Sequence, residues 1–162
     1  MQKAVNGFMF LLNTCNRIVE VFLAIALSVM SLAIFYQVFS RYVMGSATSW
    51  SEELARTLMI YIVLLGSALA LKRGEMLSVD LISEMLKKKS NKILQIIVNS
   101  LSIIFYIILV IFGFEMAERV GGQSMQGLGI SMYWFYFSIP LGGVFLTLNS
   151  LGNIIELIRG GR

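Results

Sequence analysis

The sequence predicts an all-α integral membrane protein with four transmembrane helices, and three observations carry that expectation. The first is composition: of 162 residues, 57% are hydrophobic and only 14% charged, whereas an ordinary soluble domain carries about a quarter charged residues. The second is arrangement, because the charges gather between long uncharged runs instead of spreading over a wet face. The third is run length. Four stretches reach or approach the roughly 20 apolar residues a helix needs to cross the hydrocarbon core. Lipid offers the backbone no hydrogen bonds, so helices are the expected spanning form.

The first span is expected at about 18–42, around the uncharged run 21–40. That run is longer than the 7–15 residues of a signal h-region, and no small-x-small cleavage site follows, so it is expected to be retained. Ahead of Arg17, the residues Val5, Phe8, Met9 and Leu12 are spaced for a short helix of its own. The second span, 52–72, carries Arg56 near its start, after which 57–71 hold no charge. The third covers 92–116, and the fourth, 133–157, contains Pro140, the chain's one proline. Between the second and third spans, over 75–88, apolar Met76, Val79, Ile82 and Met85 recur at helical spacing. Asp80, Glu84, Lys87 and Lys88 occupy other faces of that segment. This predicts an amphipathic interfacial helix whose lysine end is drawn to anionic phospholipids.

Four spans return both termini to one side. Ten of the 13 Lys and Arg residues collect there, leaving Arg41, Arg56 and Arg119 on the other side. The positive-inside rule makes the ten-residue side cytoplasmic. The expected location is the bacterial inner membrane, with both ends of the chain in the cytoplasm. Trp50, Trp134, Tyr42, Tyr133 and Tyr136 then mark the outer interface.

Absences narrow the chemistry. The chain has no histidine and a single cysteine, Cys15, which excludes a His-based triad, bis-histidine haem ligation, the usual imidazole metal sites and an internal disulfide. No Walker-type lysine loop is present. No enzyme activity and no cofactor are expected. The formal charge of +4 does not predict a nucleic-acid partner, because the basic residues flank apolar runs.

The residues that stand out lie in the stretch 49–72, SWSEELARTLMIYIVLLGSALALK. Ser49-x-x-Glu52 has the spacing of a capping box. Glu52 and Glu53 lie at the positive end of the helix dipole, and Arg56 is within reach of either. With Arg41 they make two cations and two anions at the outer boundary, a group that costs desolvation unless paired within the bundle or by a partner. Trp50 adjoins it. Gly66-x-x-x-Ala70 is a small-xxx-small face that admits another helix, and Gly142 and Gly143 serve the same purpose in the fourth span. Glu20 opens the first span. It suggests either a pair with Arg17 or the proton site of a small exporter working as a homo-oligomer. The loop 121–131, GGQSMQGLGIS, is expected to be flexible, and Gln37, Asn99 and Asn149 read as scattered polar residues.

Taken together, Phe39-Ser40-Arg41-Tyr42, Trp50-Ser51-Glu52-Glu53-Leu54-Ala55-Arg56, Leu65-Gly66-Ser67-Ala68, Lys72-Arg73-Gly74 and Val79-Asp80 resemble the small membrane subunit of TRAP transporters, the tripartite ATP-independent periplasmic transporters of bacteria and archaea. The motif similarity covers about 35–85, and beyond it only span layout and length agree. Where the family often has histidine after the Lys-Arg-Gly turn, this chain has Glu75-Met76, so no role for that histidine carries over. The resemblance implies a non-catalytic scaffold that anchors a large elevator subunit. It further implies sodium-coupled uptake of an organic acid, of dicarboxylate or sialic acid type, delivered by a periplasmic substrate-binding protein. In that setting Arg41, Trp50, Glu52, Glu53, Arg56, Gly66 and Ala70 are expected to form the partner interface or a structural cluster.

Overall fold

The computed structural model describes residues 2–45, 48–74 and 88–159, with side chains over 7–45, 48–74 and 93–157. This part of the chain forms α1 (Gln2–Val43), α2 (Ser49–Arg73), α3 (Lys88–Val120), the single turn α4 (Tyr133–Tyr136) and α5 (Ser138–Arg159). Four segments among the described residues are long and apolar enough to cross a membrane, with α4 and α5 together supplying the fourth. The interfacial helix expected over 75–88 falls outside them, except that Lys88 is the first residue of α3.

α1 runs unbroken for 42 residues, about 63 Å at the α-helical rise. The separate helix expected before Arg17 is instead the start of α1, because no Gly or Pro between Phe8 and Val43 interrupts the backbone ladder. Its buried residues are Leu12, Asn16, Val19, Ala26, Ala33 and Ser40, with half-buried Leu23, Met30 and Gln37 filling the gaps. The steps alternate four and three, the 3.5-residue repeat of a supercoiled helix pair. Through this seam α1 packs on α2, and its first turns also reach α5. Elsewhere on its circumference, Ile18, Val21, Ile25, Leu32 and Phe35 are apolar and exposed.

α2 and α5 form the centre: α1 packs along α2, α2 along α5, and α5 along α3. Between helices in lipid there is no hydrophobic drive, so contact relies on close approach at small residues. A Cβ added at Gly142 would lie 2.6 Å from the Leu64 Cβ of α2, and one at Gly143 would lie 2.8 Å from the Val110 Cγ2 of α3. Gly113 of α3 meets the ring of Pro140 in the same way, at 2.8 Å. With fully buried Ala117 it makes a small-xxx-small pair on the third span that sequence reading passed over. Pro140 has no N–H to give the Tyr136 carbonyl, and the regular helix is interrupted at Phe137. The span continues nonetheless. The Phe137 N–H donates to the Tyr133 carbonyl at 2.8 Å, and the Leu141 N–H donates to the Phe137 carbonyl at 3.2 Å.

Toward the end that holds both termini, three helices meet at a buried polar group. The Asn149 side chain of α5 is wholly enclosed. Its Nδ2 donates to Asn16 Oδ1 (3.0 Å) and to the Ala68 carbonyl (2.8 Å), and its Oδ1 accepts from Asn16 Nδ2 (2.7 Å). One turn on, Asn153 Nδ2 donates to the Leu71 carbonyl at 2.9 Å. Nearby, Lys72 pairs with Glu156 at 2.8 Å. Asn149, expected as one of several scattered polar residues, is thus the joint between α1, α2 and α5. Asn149→Leu keeps the branched shape and removes three hydrogen bonds, leaving the Asn16 amide buried and unpaired. The expected loss is about 1–3 kcal/mol, read as a lower melting temperature in detergent. Adding Asn16→Leu should restore part of it, and an Asn149→Leu protein that melts with the wild type would contradict this reading.

Candidate functional site

At the opposite end of the bundle, α2 starts one residue earlier than the sequence suggests. Thr48 takes the extended cap position, and no side chain caps the first amides. The expected capping box is therefore absent, because with the cap at Thr48 the Glu52 carboxylate stands one residue too far along to reach back. The Thr48 hydroxyl bonds to that of Ser51 (2.8 Å), and Ser51 Oγ also donates to the Thr48 carbonyl (2.9 Å).

The four charges expected to cluster are divided among three settings. Glu52 pairs with Arg56 at 3.0 Å, both side chains more than half exposed, so the pair itself adds little stability. Arg41, on α1, forms no ion pair among the described residues. Glu53 turns the other way, its Oε2 accepting from the backbone N–H groups of Gly127 (2.9 Å) and Leu128 (3.0 Å).

Those two amides belong to a segment that folds into a hairpin, contrary to the flexible loop expected. Met125 N–H donates to the Ile130 carbonyl (2.8 Å) and Met132 N–H to that of Gln123 (2.9 Å). Ser131 Oγ donates to the Gly121 carbonyl (2.7 Å) and accepts from the Tyr133 N–H (3.1 Å). Met125 is buried, with its sulfur 4.0 Å from Thr57 Oγ1. Gly127 rests on the start of α2 so closely that a Cβ would lie 2.7 Å from the Ser49 carbonyl carbon and the Trp50 nitrogen. Neither can move without shifting the helix. On the far side, the Trp50 ring meets that of Tyr36 on α1, with centroids 5.6 Å apart. Tyr61 Oη donates to the Trp134 carbonyl at 2.7 Å, which ties α2 to α4. Hairpin, α1, α2 and α4 are thus joined in one cap. Its groups hold backbone in place, and no nucleophile is set beside a base.

Along α2, Glu52, Arg56, Met59, Val63 and Arg73 are exposed, with Gly66 and Ala70 part-exposed between them. Steps of four and three place all seven on one face. Among the described residues, no atom outside Gly66's own stretch of helix lies within 4 Å of a Cβ built there, so Gly66 receives none of the described helices, unlike Gly142 and Gly143. At the terminal end Glu20 pairs with Arg73 at 2.7 Å, both about half exposed. The partner is Arg73 of α2 and not Arg17, because α1 and α2 run antiparallel and bring 20 and 73 to one level. A half-exposed carboxylate already paired with a cation is a poor proton site for an exporter. Met76, Val79, Ile82, Met85 and Lys87 lie outside the described residues, as does the side chain of Lys88.

Glu53 and the hairpin amides are the pairing that sequence reasoning missed. The signals available were a second glutamate beyond the cap's need and a glycine-rich loop 74 residues away. Glu53→Ala removes a charged acceptor from two amides, a loss of about 1.5–3 kcal/mol. Hydrogen–deuterium exchange at Gly127 and Leu128 should rise at least about tenfold while α5 is unchanged. Unaltered exchange at those amides would show that the carboxylate does not hold the hairpin.

Comparison with known proteins places this arrangement. Residues 30–160 match the DctQ component of the tripartite ATP-independent periplasmic transporters. The chain is 28% identical over 144 residues to the sialic acid TRAP transporter small permease protein SiaQ of Vibrio cholerae, covering 89% of this chain and 83% of that one. It is 26% identical over 110 residues to the sialic acid TRAP transporter permease protein SiaT of Haemophilus influenzae, covering 68% of this chain but 18% of that longer protein. With four apolar helices and a match across most of its length, the chain is a multi-pass membrane component of a transporter, not an enzyme, and it belongs to the DctQ family of TRAP small permease subunits.

Proposed function

We propose that this chain is the stationary scaffold of a sodium-coupled importer. It pairs with a large permease subunit that carries the substrate by an elevator movement, and a periplasmic binding protein delivers that substrate. The complex sits in the bacterial inner membrane with both termini of this chain in the cytoplasm, as the ten-to-three distribution of Lys and Arg supports. Sialic acid is the substrate class we favour over a dicarboxylate, since SiaQ and SiaT are both named for it. The SiaT match, a small part of a longer permease, supports small and large parts acting as one unit. The segment 75–88 would lie on the cytoplasmic surface and hold the scaffold at constant depth through phospholipid contacts.

The observation that carries the reading is the free face of α2. A polar pair at Glu52 and Arg56, then Met59, Val63 and a smooth stretch at Gly66 and Ala70, make a surface that a helix of the large subunit can approach closely. The test is a tagged pull-down of this chain from its native membrane in mild detergent. A much larger multi-span protein should co-purify in equal amount. Gly66→Leu should leave the fold intact, because the position is open among the described residues, yet overpacking the contact by about 1–3 kcal/mol should deplete the partner several-fold. Arg56→Ala should deplete it more than Lys88→Ala. Recovery of this chain alone, as a homo-oligomer, would overturn the scaffold reading.

A further inference from the structure

At the terminal end of the bundle, a cleft of about 580 Å³ opens between α1 and α2. Asn13, Asn16, Arg17, Glu20, Lys72 and Arg73 supply its polar lining, with the Asn16 amide already engaged by Asn149. Two of its cations already have carboxylate partners, Lys72 with Glu156 and Arg73 with Glu20. Arg17 has no ion pair among the described residues. Counting those two carboxylates, the cleft keeps one positive charge in excess, and Asn13, one turn before Arg17, offers an amide donor beside it. A second groove continues from the first, sharing Arg17 and Val21, and runs over Ile18, Phe22 and Ile25 along α1. A basic, hydrogen-bonding pocket thus opens directly onto an uncharged apolar track.

We propose that this double groove seats one anionic phospholipid. Its phosphate is held by Arg17 with Asn13, and an acyl chain lies over Ile18, Val21, Phe22 and Ile25. The excess charge selects the ligand: basic pockets between transmembrane helices bind anionic headgroups, and the apolar track demands a tail that a free anion lacks. The cleft is built from this chain alone, so the proposal stands apart from any pairing with a larger subunit.

The test uses the full chain, delipidated in detergent and titrated with phosphatidylglycerol, phosphatidylcholine or inorganic phosphate. Native mass spectrometry counts bound lipid, and a melting curve reads stabilisation. One phosphatidylglycerol should be retained per chain in preference to phosphatidylcholine, and it should raise the melting temperature. Arg17→Gln, at an exposed position with no ion pair among the described residues, should weaken retention about fivefold, as expected for one basic contact near a headgroup. Arg119→Gln, which removes the same charge from the other end of the bundle, should not. Equal retention by Arg17→Gln and wild type would overturn the proposal. So would equal binding of phosphatidylcholine, or equal protection by inorganic phosphate, which would make the cleft a simple anion site.

Discussion

Two helices immersed in hydrocarbon gain nothing by excluding water from one another, so their association rests on backbone approach and on polar groups that find partners only in each other. In this protein both requirements fall on α5. Gly142 and Gly143, side by side, bring α2 and α3 close on adjacent faces. Two turns on, Asn149 satisfies its amide with Asn16 of α1 and the Ala68 carbonyl of α2. Half of the fourth span's most apolar window is buried, against 6% for the third. The other helices are arranged around this one, and α1 and α3 keep most of their surface for lipid.

The cap at the end away from the termini depends on that packing. Gly113 seats the ring of Pro140, which sets how α3 and the α4–α5 span approach each other and therefore where the hairpin between them arrives. It arrives with Gly127 against the first residues of α2 and two amides aimed at Glu53. The carboxylate then answers N–H groups that would otherwise compete for water at the membrane boundary. Trp50, pressed between Tyr36 and the hairpin, carries the constraint across to α1. Both ends of the α1–α2 seam are fastened, by Tyr36 and Trp50 at one end and by Glu20 and Arg73 at the other. A stiff pair with one unused face on α2 suits the proposed scaffold, which must resist force instead of transmitting movement.

Much of this was legible in the residues. Run length and charge distribution announced four spanning helices, and Gly142 and Gly143 were recognisable as close-approach positions. The residues from Phe39 to Asp80 pointed to the right family. What escaped notice involves partners distant in the chain. Glu53 looked like a member of a local charge cluster because Arg56 is three residues away, while its actual partners are 74 and 75 residues away. Glu20 looked paired with Arg17 for the same reason, and Arg73 takes it across the antiparallel seam.

The sequence by itself determined that four stretches are long and apolar enough to cross a bilayer, and which chemistries are closed to the chain. These follow from the cost of exposing charge and unpaired backbone to lipid, a cost each segment meets alone. Only the tertiary structure decided which helices are neighbours, and with them the roles of Asn149, Glu53 and the heptad stripe of α1. A side-chain amide or carboxylate in a span needs a partner, and its spacing along one helix does not say which helix supplies it.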